Sequence, residues 1–227
     1  MFLLRLLTRL ALLLIGLMTA ALLLIHAPRY DDSAVQSFFA ASCTSLPCWQ
    51  GIRPGETTTT QALAVLRAHP WVGTVSEVYA SPYEGNNSAV LIYWTWSSRY
   101  PFVGDSEIMQ QGIIITNYGI VQQIYLTTSL SLGDMWLALG SPDSGVIDYT
   151  YDTKRLRVDN TALFARDGVV ATASVLTSCV AENPDFWDQP VYLWLQTSAS
   201  LSDGSLAFPA YIRMMHDGYH QVRGSFC

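Results

Sequence analysis

Charge is scarce in this chain. Charged residues make up 13% of its 227 positions, against a usual share of roughly 25%. Lysine is almost missing, with Lys154 the single copy. Past Arg5, Arg9 and Arg29 the chain holds nine basic residues against 18 acidic ones. This balance argues against nucleic acid and against an anionic lipid surface, because both need basic patches. The one basic cluster, Lys154, Arg155 and Arg157, reads as an exposed strand edge blunted by charge. Catalytic signatures are missing as well: there is no G-x-S-x-G elbow, no Walker loop, no Gly-x-Gly run, and no Cys–His pairing with an orienting residue. Cysteine is confined to Cys43, Cys48, Cys179 and Cys227.

Against this background one long apolar run stands out. Residues 10–25 carry no charge, with Arg5 and Arg9 before them and Arg29, Asp31 and Asp32 after. A cleaved signal peptide wants a small-x-small site, and Ile25-His26-Ala27 followed by Pro28 is a poor one. An anchor wants about 20 apolar residues, which Leu6, Leu7 and Ala27 help to supply. The sequence therefore favours an uncleaved signal anchor, with residues 1–27 as cytoplasmic stub and transmembrane helix, and the basic residues setting the N-terminus inside. On this reading the membrane is a partner through residues 10–27, the protein is single-pass, and the bulk of the chain is extracytoplasmic. An even cysteine count in an exported domain predicts disulfides. Three pairings are possible; Cys43–Cys48 and Cys179–Cys227 are the expected ones. C-x4-C with two remote cysteines is not a zinc spacing.

Residues 28–50 read as a tether, with a short helix from Ser33. Beyond it the chain repeats itself. Thr58 and Gln61 form a capping box, the helix over 59–68 carries Ala62, Leu63 and Leu66 on one stripe, and Pro70 stops it. A shift of 73 residues puts Ser131 and Asp134 in the same places. Met135, Trp136 and Leu139 then form the stripe, with Leu132 added, and Gly140 and Pro142 form the stop. Strand patterns follow each helix, over 74–80, 89–96, 111–116 and 120–126 in the first unit. In the second they cover 146–151, 156–158, 161–165 and 169–176. Asn117-Tyr118-Gly119 and Arg166-Asp167-Gly168 are the two hairpin turns. The expected fold class is α+β: an N-terminal transmembrane helix followed by two tandem helix-plus-antiparallel-meander units, 51–126 and 127–178. Residues 179–227 are expected to be a C-terminal extension packed on the second unit, with a strand over 191–196.

The run SLGDMWLALGSP at 131–142, followed by ALFARDGVVATA at 162–173, resembles the BamE/SmpA/OmlA type of small outer-membrane lipoprotein. Those share a capped helix ending in L-G-x-P and a hairpin of the form apolar strand, D/N-G-V, apolar strand. The first unit, Pro54 to Leu126, is a looser match and lacks the Gly before its Pro. Tandem units of this kind are also similar to β-lactamase inhibitory proteins. The resemblance implies a fold and a sheet face for a protein partner; it implies no reaction. The chain departs from the lipoprotein pattern in having no lipid-accepting Cys and in carrying two units.

Candidate sites are few. Trp94 and Trp96 lie two apart on one strand and so share a side; with Trp187 they are the candidate binding residues, as an aromatic platform for a protein or sugar. Asn86-Asn87-Ser88 is a glycosylation sequon. His69 reads as a packed helix-end residue. His216 and His220 have i, i+4 spacing but Gly218 between them and no Glu, so no metal is assigned. Asp185 and Asp188 fall in a solvated loop that offers oxygen ligands of the kind calcium takes. No cofactor is implied. The expected function is that of a membrane-anchored, extracytoplasmic binding or scaffold protein without catalysis, acting through a protein or cell-envelope partner. The alternative is an envelope hydrolase or sugar-acting enzyme using paired carboxylates such as Asp105 and Glu107.

Overall fold

The computed structural model describes residues 9–20, 33–40, 45–79, 89–102, 111–152, 155–177, 187–197 and 206–207. The chain divides into two compact units, Met1–Asp31 and Asp32–Cys227.

In the first unit a helix, α1, covers residues 9–20. Among the described residues no helix is long and apolar enough to cross a membrane. The expected transmembrane anchor, the single-pass membrane localisation and the extracytoplasmic placement drawn from them are therefore unsupported. Residues 21–27 of the expected span lie outside the described residues.

The second unit is built on capped helices and alternating strands. Helix α2 (Ser33–Ala40) buries Val35, Phe38 and Phe39, the i, i+3, i+4 stripe of an amphipathic helix. Helix α3 (Thr59–Ala68) starts at a complete capping box: Gln61 N–H donates to Thr58 Oγ1 at 3.3 Å, and Thr58 N–H donates to Gln61 Oε1 at 2.9 Å. Its buried residues are Ala62, Leu63 and Leu66. Helix α4 (Leu132–Leu139) repeats the device, with Ser131 N–H donating to Asp134 Oδ2 at 2.9 Å. The Asp134 carboxylate also faces the positive end of the helix dipole. Leu132 and Met135 are fully buried, whereas Trp136 and Leu139 sit half-buried at the core margin.

Strands β1 (Val72–Tyr79), β2 (Ala89–Trp96), β3 (Gln111–Asn117) and β4 (Ile120–Ser131) follow α3, and β5 (Ser144–Asp152), β6 (Arg155–Phe164), β7 (Val169–Thr177), β8 (Pro190–Gln196) and β9 (Leu206–Ala207) follow α4. They form one nine-stranded sheet in the order β1-β2-β3-β4-β8-β7-β6-β5-β9. Every pairing is antiparallel. The expected turns are present. Tyr118 and Gly119 take φ of 51° and 76° between β3 and β4, the signs a two-residue hairpin loop requires. A single 3-10 turn, Ala165–Asp167, and Gly168 at φ 62° join β6 to β7.

This corrects the expected fold class. The chain is dominated by one continuous antiparallel sheet, not by two tandem helix-plus-meander units behind a membrane helix. Two local misreadings explain the difference. The stretches 156–158 and 161–165 are one strand, β6, because Asp159 and Asn160 continue the ladder opposite Asp148 and Ile147. The other is the place of β8, a strand expected over 191–196 but assigned to a C-terminal extension. It pairs with both β4 and β7 and welds the sheet at its centre, where Ile124 faces Leu195 and Leu126 faces Leu193. A one-residue slip there would turn every apolar side chain to the wrong face.

Cys48 is disulfide-bonded, and the pairings expected for the four cysteines involve residues outside the described ones. Cys43, Cys179 and Cys227 lie outside the described residues. Cys48 is buried, and no free cysteine is found among the described residues.

Helices α2, α3 and α4 lie in one core with one face of the sheet. The row Ile92–Ile114–Ile124–Leu195–Val169–Phe164 crosses six strands through paired positions, and every member is fully buried. Trp94, one step along β2, lies over Gly112 of β3. A methyl group at Gly112 would overlap the indole itself. Gly112→Ala is therefore expected to cost about 1–3 kcal/mol by overpacking, read from urea denaturation midpoints at constant m-value. An unchanged midpoint would mean that the indole moves aside at no cost.

Candidate binding face

Of the expected site residues, Trp94 is 1% exposed and stacks on Trp49 at 5.5 Å. Trp96 is half-buried; it stacks on Tyr100 at 3.8 Å, and its Nε1 donates to Thr127 Oγ1 at 3.0 Å. The structure does put the two on one side of β2, but that side is the helix-covered one. Trp187 is 44% exposed. Its ring meets Trp136 edge-on at 4.8 Å, and its carbonyl accepts from Gly133 N–H at 3.0 Å. Asp105, Glu107, Asn86, Asp185, His216 and His220 lie outside the described residues. Among the described residues no group of three or more His, Cys, Asp or Glu could hold a metal ion.

The opposite face of the sheet carries a different set. Ser76, Tyr93, Ile113, Tyr125, Trp194, Val170, Leu163 and Ser144 are successive paired positions from β1 to β5. Strand alternation points these away from the buried row. Val170 and Leu163 are buried, so the open part runs from β1 to β8. Tyr93, Ile113 and Tyr125 are half-buried, and Trp194 is 47% exposed. Neighbouring positions add Leu91, Ile115 and Tyr192, also half-buried, and Val78, which is exposed. Tyr125 lies parallel to Tyr192 at 6.2 Å and beside Trp194 at 5.9 Å. The rings are held by cross-strand neighbours, the unit of sheet stabilisation.

The charges bordering this face neutralise one another. Arg157 Nε donates to Asp159 Oδ1 at 2.9 Å, Ser174 Oγ donates to the same carboxylate oxygen, and Arg157 donates to Ser174 Oγ at 3.3 Å. Burial is the main reason the Tyr125 phenol is pushed up to about 12; Tyr192 and Asp159 add to it, while Arg157 and a hydrogen bond from Trp194 pull the other way. Tyr125 is thus a neutral hydrogen-bonding ring at any physiological pH. Its raised value stabilises the fold below pH about 10, the ordinary tyrosine value, and that contribution is lost as pH rises toward the folded value.

Sequence reasoning missed Tyr93, Tyr125, Tyr192 and Trp194. The alternation in Tyr192-Leu193-Trp194-Leu195 was the available signal. A period of two groups residues by side without saying which side is covered.

The chain matches no protein-family model, no curated protein and no solved structure.

The two tryptophan environments predict opposite outcomes on truncation. Trp94→Ala is expected to cost about 3–5 kcal/mol as a core cavity, and Trp194→Ala about 1 kcal/mol or less. Equal losses in a denaturant titration would show that the outer face is not open.

Proposed function

We propose that this chain is a non-catalytic binding module that docks a protein partner on the open face of its sheet. The observation that carries the reading is the row Tyr93–Ile113–Tyr125–Trp194, aromatic and aliphatic side chains aligned on the side opposite the helices. Contiguous apolar area of this kind marks partner sites in soluble domains, and Tyr and Trp supply most binding hot spots. Rings already fixed by their strand neighbours lose little rotamer freedom on binding. Strands β2, β3 and β8 carry no charged residue, so a partner surface pays little to desolvate against them.

The test is capture by the full chain from its native cells, with the partner identified by cross-linking from position 194. A Tyr125→Ala/Trp194→Ala double variant should weaken capture by about 2 kcal/mol or more. Leu137→Ala, on the exposed side of α4, should leave it unchanged. Retention of the same partner by the double variant, at equal stability, rejects this face.

A further inference from the structure

The joint between α2, the 45–55 loop and the end of α3 contains a titratable group that the proposed function does not use. Trp49 and Ile52 close a two-residue turn through paired backbone bonds of 3.0 and 2.8 Å. Its central residues, Gln50 and Gly51, have φ of 49° and 84°. Glycine and asparagine favour such positions; glutamine is uncommon there, and a residue held in this region asks for a reason. Gln50 is 6% exposed, and its amide is fully engaged. Its Nε2 donates to the carbonyls of Phe38 at 3.0 Å and Ser37 at 3.3 Å, two of the last carbonyls of α2, which have no partner within the helix. Its Oε1 lies 3.3 Å from His69 Nε2. The other ring nitrogen, Nδ1, accepts from Trp71 N–H at 3.2 Å. These contacts fix the tautomer: Nδ1 is an acceptor, so the proton sits on Nε2 and is donated to Gln50.

We propose that His69 is a pH latch for α2: a second proton on its ring opens the Gln50 bridge and raises the population in which Val35, Phe38 and Phe39 leave the core. A proton on Nδ1 would set two donors, Nδ1–H and Trp71 N–H, against each other. To escape, the ring must turn out of its place between Trp49, at 5.9 Å, and Trp71, at 5.1 Å. Gln50 then loses its donor and, with it, the geometry that caps α2.

Among the described residues the surroundings offer the cation no compensation. Among the described residues, the charged groups on α3, β1 and the 45–55 loop are already paired: Arg67 with Glu77 at 3.1 Å and Arg53 with Glu56 at 3.4 Å. Helix α2 and strand β2 carry no charged residue. Tyr100 is a neutral phenol whose titration burial pushes up. Burial also holds the His69 imidazole below its ordinary 6.5. The sign follows. Neutral His69 contributes its stabilisation fully above pH 6.5, and this is lost as pH falls through the lowered folded value. Within that window the opening equilibrium rises about tenfold per pH unit.

Hydrogen exchange on the full chain, corrected for intrinsic rates, tests the latch between pH 7.5 and 5. Amides of α2 are expected to lose protection by up to about tenfold per unit, while those of β3 and β4 do not. In His69→Asn, which cannot titrate, α2 should show no pH step at whatever basal level it adopts. An independent check needs no variant: NMR titration of the His69 ring should give a midpoint that coincides with the α2 transition. Flat α2 protection in the wild type, a pH step that survives His69→Asn, or two separate midpoints would each overturn the proposal.

Discussion

The Trp94 indole resting on Gly112 and against Trp49 is the contact around which the first half of the molecule is arranged. It ties β2 to β3 at a place where only a glycine leaves room, and it clamps the 45–55 loop onto the sheet. Edge-on and stacked contacts then spread outward through Trp96, Tyr100, Phe102 and Phe38 to α2, and through His69 to Trp71. Rings of this size bury 150–250 Å2 each and add orientation-dependent energy. A small charged complement is consistent with such a core, which needs no ion pairs to specify it. The cost shows in two buried indole N–H groups, on Trp49 and Trp94, without a hydrogen-bond partner among the described residues. Each such group forgoes the free energy of one hydrogen bond, which the stacking has to exceed.

The second constraint is the β4–β8 seam. Helix α3 is followed by β1–β4 and helix α4 by β5–β9, and the fourth strand of each set, β4 or β8, lies at the middle of the sheet. The two halves therefore meet through a shared hydrogen-bonded ladder, and the apolar row runs unbroken across the junction. That continuity places the helices together on one side and leaves the aromatic row open on the other. The face proposed for binding is a consequence of how the halves join.

Aromatic residues thus serve two separate purposes in this chain. On the helix side they replace aliphatic packing. On the open side Tyr93, Tyr125, Tyr192 and Trp194 sit among neutral polar neighbours such as Gln123, Gln196 and Thr172. The histidine at the α3 end belongs to the first group and brings the titratable ring into it.

Local grammar was legible in the amino-acid order. Both capping boxes, both glycine-containing hairpin turns, the burial of Ala62, Leu63, Leu66, Leu132 and Met135, and the packed state of His69 follow from interactions spanning a few residues, whose energies depend little on the rest of the chain. The same reasoning put Trp94 and Trp96 on one side of a strand. It could not choose the side, because that depends on where the helices land. Nor could it see that 156–165 is one strand, or that 190–196 is the central one, since strand partners are set by contacts distant in sequence. A charge-free run of membrane-like composition was legible too, but among the described residues no helix is long and apolar enough to cross a membrane. Sequence alone determined the caps, turns and stripes. Tertiary structure alone decided which strands pair, which face is covered and which aromatic rings remain at the surface, because only the assembled sheet fixes what each side chain is buried against.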